Sequence, residues 1–200
     1  MTRIERVFLI ALAVAAITLV AAVVNENGIR AITGFASSGT ATTSVNLLEI
    51  SSIKTTGSID FGSGRVDANA SNATLDSDAG TVTGGSWTPI TQYITVENDG
   101  TVNISVNVSA DGNNNANGLI GGTNPLFQIK GVATEPDSCT TLQAGYTNVP
   151  NSTETPLALC DLLRYWNSAD EFNISSKLSI PNDAAPGQRN VTLTFSASKA

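Results

Sequence analysis

The sequence predicts a mainly β protein: an antiparallel β-sandwich behind an N-terminal hydrophobic helix. Three observations carry this. Residues 102–109 alternate strictly, with Val102, Ile104, Val106 and Val108 against Asn103, Ser105, Asn107 and Ser109. The same period of two returns in Phe172, Ile174, Leu178 and Ile180, and again in Val191, Leu193, Phe195 and Ala197. Such alternation buries one strand face and wets the other. Finally, residues 7–24 (VFLIALAVAAITLVAAVV) hold no charge and only Thr18 is polar.

The elements follow in order. A helix of that apolar run would rise about 27 Å, close to the roughly 30 Å of a bilayer core. Residues 1–24 therefore read as an anchor, an assembly helix or a signal. Arg3 and Arg6 ahead of the run place the N-terminus inside. Residues 25–44 are a Ser/Thr/Gly-rich connector. Residues 45–200 form the sandwich. Within it, the rhythm turns to strand from Val45, and the mixed phases of Val45–Ile50 suggest a strand buried on both sides. Ser58–Gly62 and Arg65–Asp67 suggest two short strands, residues 67–80 a loop, and Trp87-Thr88-Pro89 the opening of another strand. Asn98-Asp99-Gly100 predicts a hairpin turn before the strand at 102–109. Residues 111–170 contain both cysteines and four prolines, and read as an insertion or crossover in an otherwise regular fold. Leu157–Trp166 (LALCDLLRYW) looks helical. Pro181–Gly187 is a turn. The expected core is Val102, Ile104, Val106, Val108, Ile174, Leu178, Val191, Leu193 and Phe195.

Composition narrows the function. The net charge is −7, which argues against nucleic acid and anionic membrane surfaces as partners. Charged residues make up only 14% of the chain, so hydroxyls and amides supply the surface polarity. Histidine is absent. A Ser-His or Cys-His nucleophile and a His-ligated metal are thereby excluded. Ser51–Lys54 and Ser196–Lys199 match S-x-x-K, but in strand context the two side chains face opposite ways. Asp111-Gly112-Asn113-Asn114-Asn115 partly matches a calcium loop, yet Ala116 and Gly122 stand where glycine and a bidentate Glu are needed. An Asn-rich turn is the simpler reading, and Asp76-Ser77-Asp78 carries an equally weak calcium pattern. No metal, cofactor or enzymatic activity is expected.

Cys139 and Cys160 are the only cysteines, and in an exported chain they read as a disulfide. Seven N-x-S/T sequons occur, at Asn69, Asn72, Asn103, Asn107, Asn151, Asn173 and Asn190. Asn103, Asn107, Asn173 and Asn190 fall on the polar phase of their strands, where a glycan would stand in solvent. The few aromatics available to stack on a sugar are Trp87, Tyr93, Tyr146, Tyr165 and Trp166; Tyr165-Trp166, near the disulfide, is the best candidate patch, though packing beneath the loop is the favoured role for it.

The stretch from VFLIALAVAAITLVAAVV through NENGIRAITGFASSGTATTS resembles archaeal type IV pilin-like surface subunits, including archaellins. The strands ITVENDGTVNISVNVSA and LSIPNDAAPGQRNVTLTFSA look like those of immunoglobulin-like prokaryotic surface domains, among them subunits that polymerise by strand donation. The resemblance is one of architecture. It implies a structural subunit of an extracellular filament or cell-surface coat, self-associating and membrane-engaged through residues 7–24. The alternative is a membrane-anchored or secreted β-sandwich module that binds a glycan or a surface protein.

Overall fold

A computed structural model describes residue 45 and residues 47–200. The expectations for residues 1–24 and 25–44 lie outside the described residues. From Leu47 onward the chain is mainly β, with antiparallel strands throughout. The strands are β1 (Lys54–Gly57), β2 (Asn72–Asp76), β3 (Thr81–Thr83), β4 (Ile94–Glu97), β5 (Ile104–Ala110), β6 (Leu126–Ala133), β7 (Thr147–Asn148), β8 (Leu157–Leu163), β9 (Glu171–Pro181) and β10 (Leu193–Lys199). One helical turn, α1 (Ala116–Leu119), is capped by the Asn115 side chain.

Strand β9 is the spine of the larger sheet. Along one side it pairs β4 over Glu171–Ile174, then β2 over Lys177–Pro181. Along the other it pairs β6 from Phe172 to Ser179. Strands β1, β3 and β7 flank β4, β2 and β6. The smaller sheet has the order β10-β5-β8. Ile104, Val106, Val108, Leu159 and Leu163 from the smaller sheet pack against Val96, Phe127, Ile129, Phe172 and Ile174 from the larger. Burying an aliphatic side chain of this size contributes about 1.5–3 kcal/mol. The alternation read from the sequence sets this core: β5 alternates buried and half-buried from Ile104 to Ala110 without a break. Leu178, Val191, Leu193 and Phe195 are only half-buried, at its margin. Val102 lies before β5 and is half-exposed.

Six local expectations are corrected. Residues 67–80, expected as a loop, contain strand β2. Residues 47–50 form no strand, and Leu47, Leu48 and Ile50 are exposed rather than buried on both sides. Asn98-Asp99-Gly100 makes a turn but no hairpin, because β4 and β5 belong to different sheets. The Asn98 side chain is buried and donates to the carbonyls of Val102 and Arg164 at 2.9 Å and Leu163 at 3.2 Å. It ties the crossing to the end of β8. Leu157–Trp166 is not helical, since Leu157–Leu163 is strand β8. Its helix-like spacing comes from a bulge: Val106 pairs Cys160 and Asn107 pairs Ala158, leaving Leu159 over. Leu159 and Cys160 are therefore both buried, and the period of two is lost. Residues 58–67 form no strand, only a bridge between Val66 and Gly85. Trp87 also opens none; its ring lies so close to Gly64 and Gly85 that a Cβ on either would collide with it.

Residues 111–170, expected as an insertion, supply β6 and β8 to the two sheets. The segment between them laces the sheets together. Cys139 is disulfide-bonded to Cys160 of β8. Backbone bonds join Thr140 and Thr141 to β8 and Ser138 to Arg164 just past it, and Gln143 donates to Leu159 O while accepting from Gly131 N of β6. Gly131 lacks the Cβ that would strike Leu142 at 2.5 Å, so the segment packs flat on β6.

Candidate functional site

The outer face of the larger sheet carries the densest polar cluster. Asn173, Ser175, Lys177 and Ser179 of β9 point away from the core, opposite Phe172, Ile174 and Leu178. Lys130 of β6 stands beside Ser175, and Asp76 of β2 beside Lys177. Tyr146, brought in by the loop before β7, lies across them. Its ring centroid is 4.8 Å from Lys130 Nζ and 5.2 Å from Lys177 Nζ, a cation on each count within reach of the ring quadrupole. Its hydroxyl donates to Asp76 Oδ1 at 2.6 Å. Lys130 Nζ lies 2.6 Å from Asp78 Oδ2, and Tyr93 donates to Asp78 Oδ1 at 2.9 Å. Lys177 Nζ is 3.7 Å from Asp76. Ser175, which alternation alone would place in water, is fully buried beneath this cover.

The electrostatics hold the cluster in one protonation state. Burial and the bond to Asp76 push the Tyr146 hydroxyl far up, so it stays protonated. The bond to Asp78 does the same, less strongly, for Tyr93. Burial alone would raise the Asp76 carboxyl. Its bonds from Tyr146 and from the N–H groups of Ala79 and Asp78 outweigh that and hold it below the usual range. Each carboxylate has a cation and a phenol as partners. This arrangement latches the loop before β7 and the β2–β3 turn onto β9. The sequence marks Asp76-Ser77-Asp78 only as a weak calcium-loop pattern and Tyr93 and Tyr146 only among its few aromatics, and nothing in it brings them together. Asp76 and Tyr146 are 70 positions apart, and only the β2–β9–β6 pairing brings them together.

A second patch joins Arg164, Tyr165 and Trp166, just past β8. The Tyr165 and Trp166 rings meet edge to face at 5.3 Å, and Arg164 lies 5.2 Å from the Trp166 ring. Both aromatics are about half open, at 43% and 44% exposure, so they do not pack beneath the loop.

The sequons occupy varied settings. Asn69 and Asn190 are exposed, in a turn and ahead of β10. Asn72 is exposed but donates to Ser179 at 2.7 Å. Asn107 and Asn173 are half-buried in β5 and β9, and Asn173 Oδ1 accepts from Thr95. Asn103 is half-buried with Oδ1 covered. Asn151 Oδ1 accepts from both N–H and hydroxyl of Thr153.

No protein-family model matches this chain, and no characterised protein matches it in sequence. The remaining motifs resolve locally. Asp111 Oδ1 accepts from Asn114 Nδ2 and from the N–H of Thr192, so this carboxylate pins the start of β10. Ser196 and Lys199 both lie in β10, and Lys199 is paired with Glu49. Among the described residues no cluster of acidic or cysteine side chains has the spacing to hold a metal ion.

Proposed function

We propose that this chain is a non-catalytic structural subunit of an extracellular filament, of pilus-like type, or of a cell-surface coat. The observation that carries the reading is the order of parts: an uncharged apolar run at 7–24, then a disulfide-closed β-sandwich with a hydroxyl-rich surface. The disulfide suits an oxidising compartment outside the cytoplasm. The apolar run would export the chain and then anchor it or join it to its neighbours. Where that run packs helix against helix, its alanines set how closely the helices approach. Glycans on the sequons would shield the surface. An immunoglobulin-like fold for the antiparallel β-sandwich belongs to the same proposal.

Electron microscopy of surface material from cells carrying a tagged chain tests this reading. Ordered fibres or a lattice labelled by the tag support it; tagged material found only as dispersed monomers overturns it. N-terminal sequencing of the exported chain then separates a retained run from a cleaved signal.

The exposed Tyr165-Trp166 pair favours a second reading, a surface module that binds a glycan. Aromatic faces with an adjacent guanidinium fit the apolar face and hydroxyls of a sugar ring. Binding to a glycan array that Trp166→Ala abolishes would select it.

A further inference from the structure

Sheet edges invite pairing with other chains unless something blunts them. Here the described edges differ sharply. The β8 edge is covered by the disulfide-bound segment 138–143, and the β6 edge by β7 and Gln143. Strand β3 has three residues and β1 has four. Strand β10 has seven, with no proline and no bulge, and its register against β5 is unbroken from Leu193 to Lys199. Among the described residues nothing pairs with its outer side.

The outer side is also chemically ready. Asp111 N donates to Thr192 O, and Ala200 N donates to Asn103 O. By alternation the even residues of β10 bond to β5. The N–H and C=O groups of Leu193, Phe195, Ala197 and Lys199 therefore point away from the sheet. The side chains of Leu193, Phe195 and Ala197 lie at the core margin, half-covered. Thr194, Ser196 and Ser198 face outward and are exposed.

We propose that this edge docks a second copy of the chain, β10 pairing antiparallel with β10 about a two-fold axis through Ser196. The strand is self-complementary in that register. Phe195 falls opposite the second copy's Ala197, large against small. Leu193 falls opposite the stem of Lys199, and Thr194 opposite Ser198. The two Lys199 charges lie at opposite ends, so no like charges meet. All four outward-pointing residues gain ladder bonds, and the half-covered margin of the core becomes continuous between the copies. The proposal does not depend on the chain being a filament subunit.

Cysteine cross-linking of the full chain tests it. In this register Ser196 sits in a non-hydrogen-bonded pair with itself, with Cα atoms about 4.5 Å apart, within disulfide reach. Ser196→Cys should form a disulfide dimer on mild oxidation, at least tenfold more than Thr194→Cys. The double variant Thr194→Cys/Ser198→Cys should cross-link as readily as Ser196→Cys. Ala197→Pro removes only an outward N–H, which an edge strand tolerates. Added to Ser196→Cys it should suppress the dimer while circular dichroism and melting stay unchanged. Should Ala197→Pro unfold the domain, the comparison of the cysteine variants alone decides. Equal cross-linking of Ser196→Cys and Thr194→Cys, or none from either, overturns the proposal.

Discussion

The Tyr146 hydroxyl donates to Asp76 across 2.6 Å, joining the loop before β7 to strand β2 over the outer face of β9. The bond fastens a segment that covers Ser175 and orders two lysines around one ring. Tyr146→Phe keeps the ring and its cation contacts but strips Asp76 of its shortest donor. A bond to a charged group is worth roughly 1.5–3 kcal/mol. Urea denaturation at neutral pH should show a loss of that order, with the slope m unchanged. An unaltered midpoint would mean that water replaces the phenol without cost.

The same carboxylate sets an acid limit. Asp76 is held below its ordinary value in the folded state, so at low pH the unfolded chain binds the extra proton. Its contribution is full above the ordinary carboxylate value, near pH 4, and is lost as pH falls through the lower folded value. Asp170 has the opposite sign. Burial, then the neighbouring Glu135 and Glu97, push its carboxyl up, so its charged form costs stability at neutral pH. That cost is relieved as pH falls through its raised value. Asp76→Asn should lower the melting temperature at pH 7 and flatten the acid limb. Asp170→Asn should raise it at pH 7 by an increment that shrinks on acidification. Melting curves from pH 2.5 to 7 check both; matching signs for the two variants would refute the assignment.

The Cys139–Cys160 bridge, at a sequence separation of 21, ties the lacing segment to β8. Closing a loop of that length stabilises by about 3 kcal/mol through the unfolded chain. Replacing both cysteines with serine should cost about that much. Amide exchange should quicken first at Thr140, Asp161, Gln143 and Gly131, the donors that hold the segment between the sheets. Uniform exchange across all strands would show instead that the bridge acts on the domain as a whole.

Asn98 carries three carbonyl oxygens on one amide nitrogen. Asn98→Ala leaves them buried without that donor and should cost about 1–3 kcal/mol. Asn98→Asp should cost more, because a carboxylate has no hydrogen to offer and would face oxygen lone pairs. A variant order with aspartate the milder of the two would show that the site rearranges. Thermal unfolding of the two proteins side by side decides.

The strands that alternate in sequence are the strands that alternate in space. Val106 and Ile174 could be assigned to the core because a pleated strand sends successive side chains to opposite faces, a rule that needs no knowledge of neighbours. The disulfide was legible for a similar reason: the sequence holds two cysteines, which have only each other to pair with. The sequence by itself thus determined the mainly β class, the phase of β5, β9 and β10, and the bridge. Tertiary structure alone decided which sheet each strand joins. Asn98-Asp99-Gly100 encodes a change of direction, and whether it closes a hairpin or crosses between sheets depends on β8, about 60 residues on. The bulge at Leu159 imitates helical spacing until Val106 is seen opposite Cys160. The cluster around Tyr146 left no trace as a cluster, because its members come from β2, β6, β9 and three connecting segments. Local periodicity reports the face a residue presents; only long-range pairing settles what stands over that face.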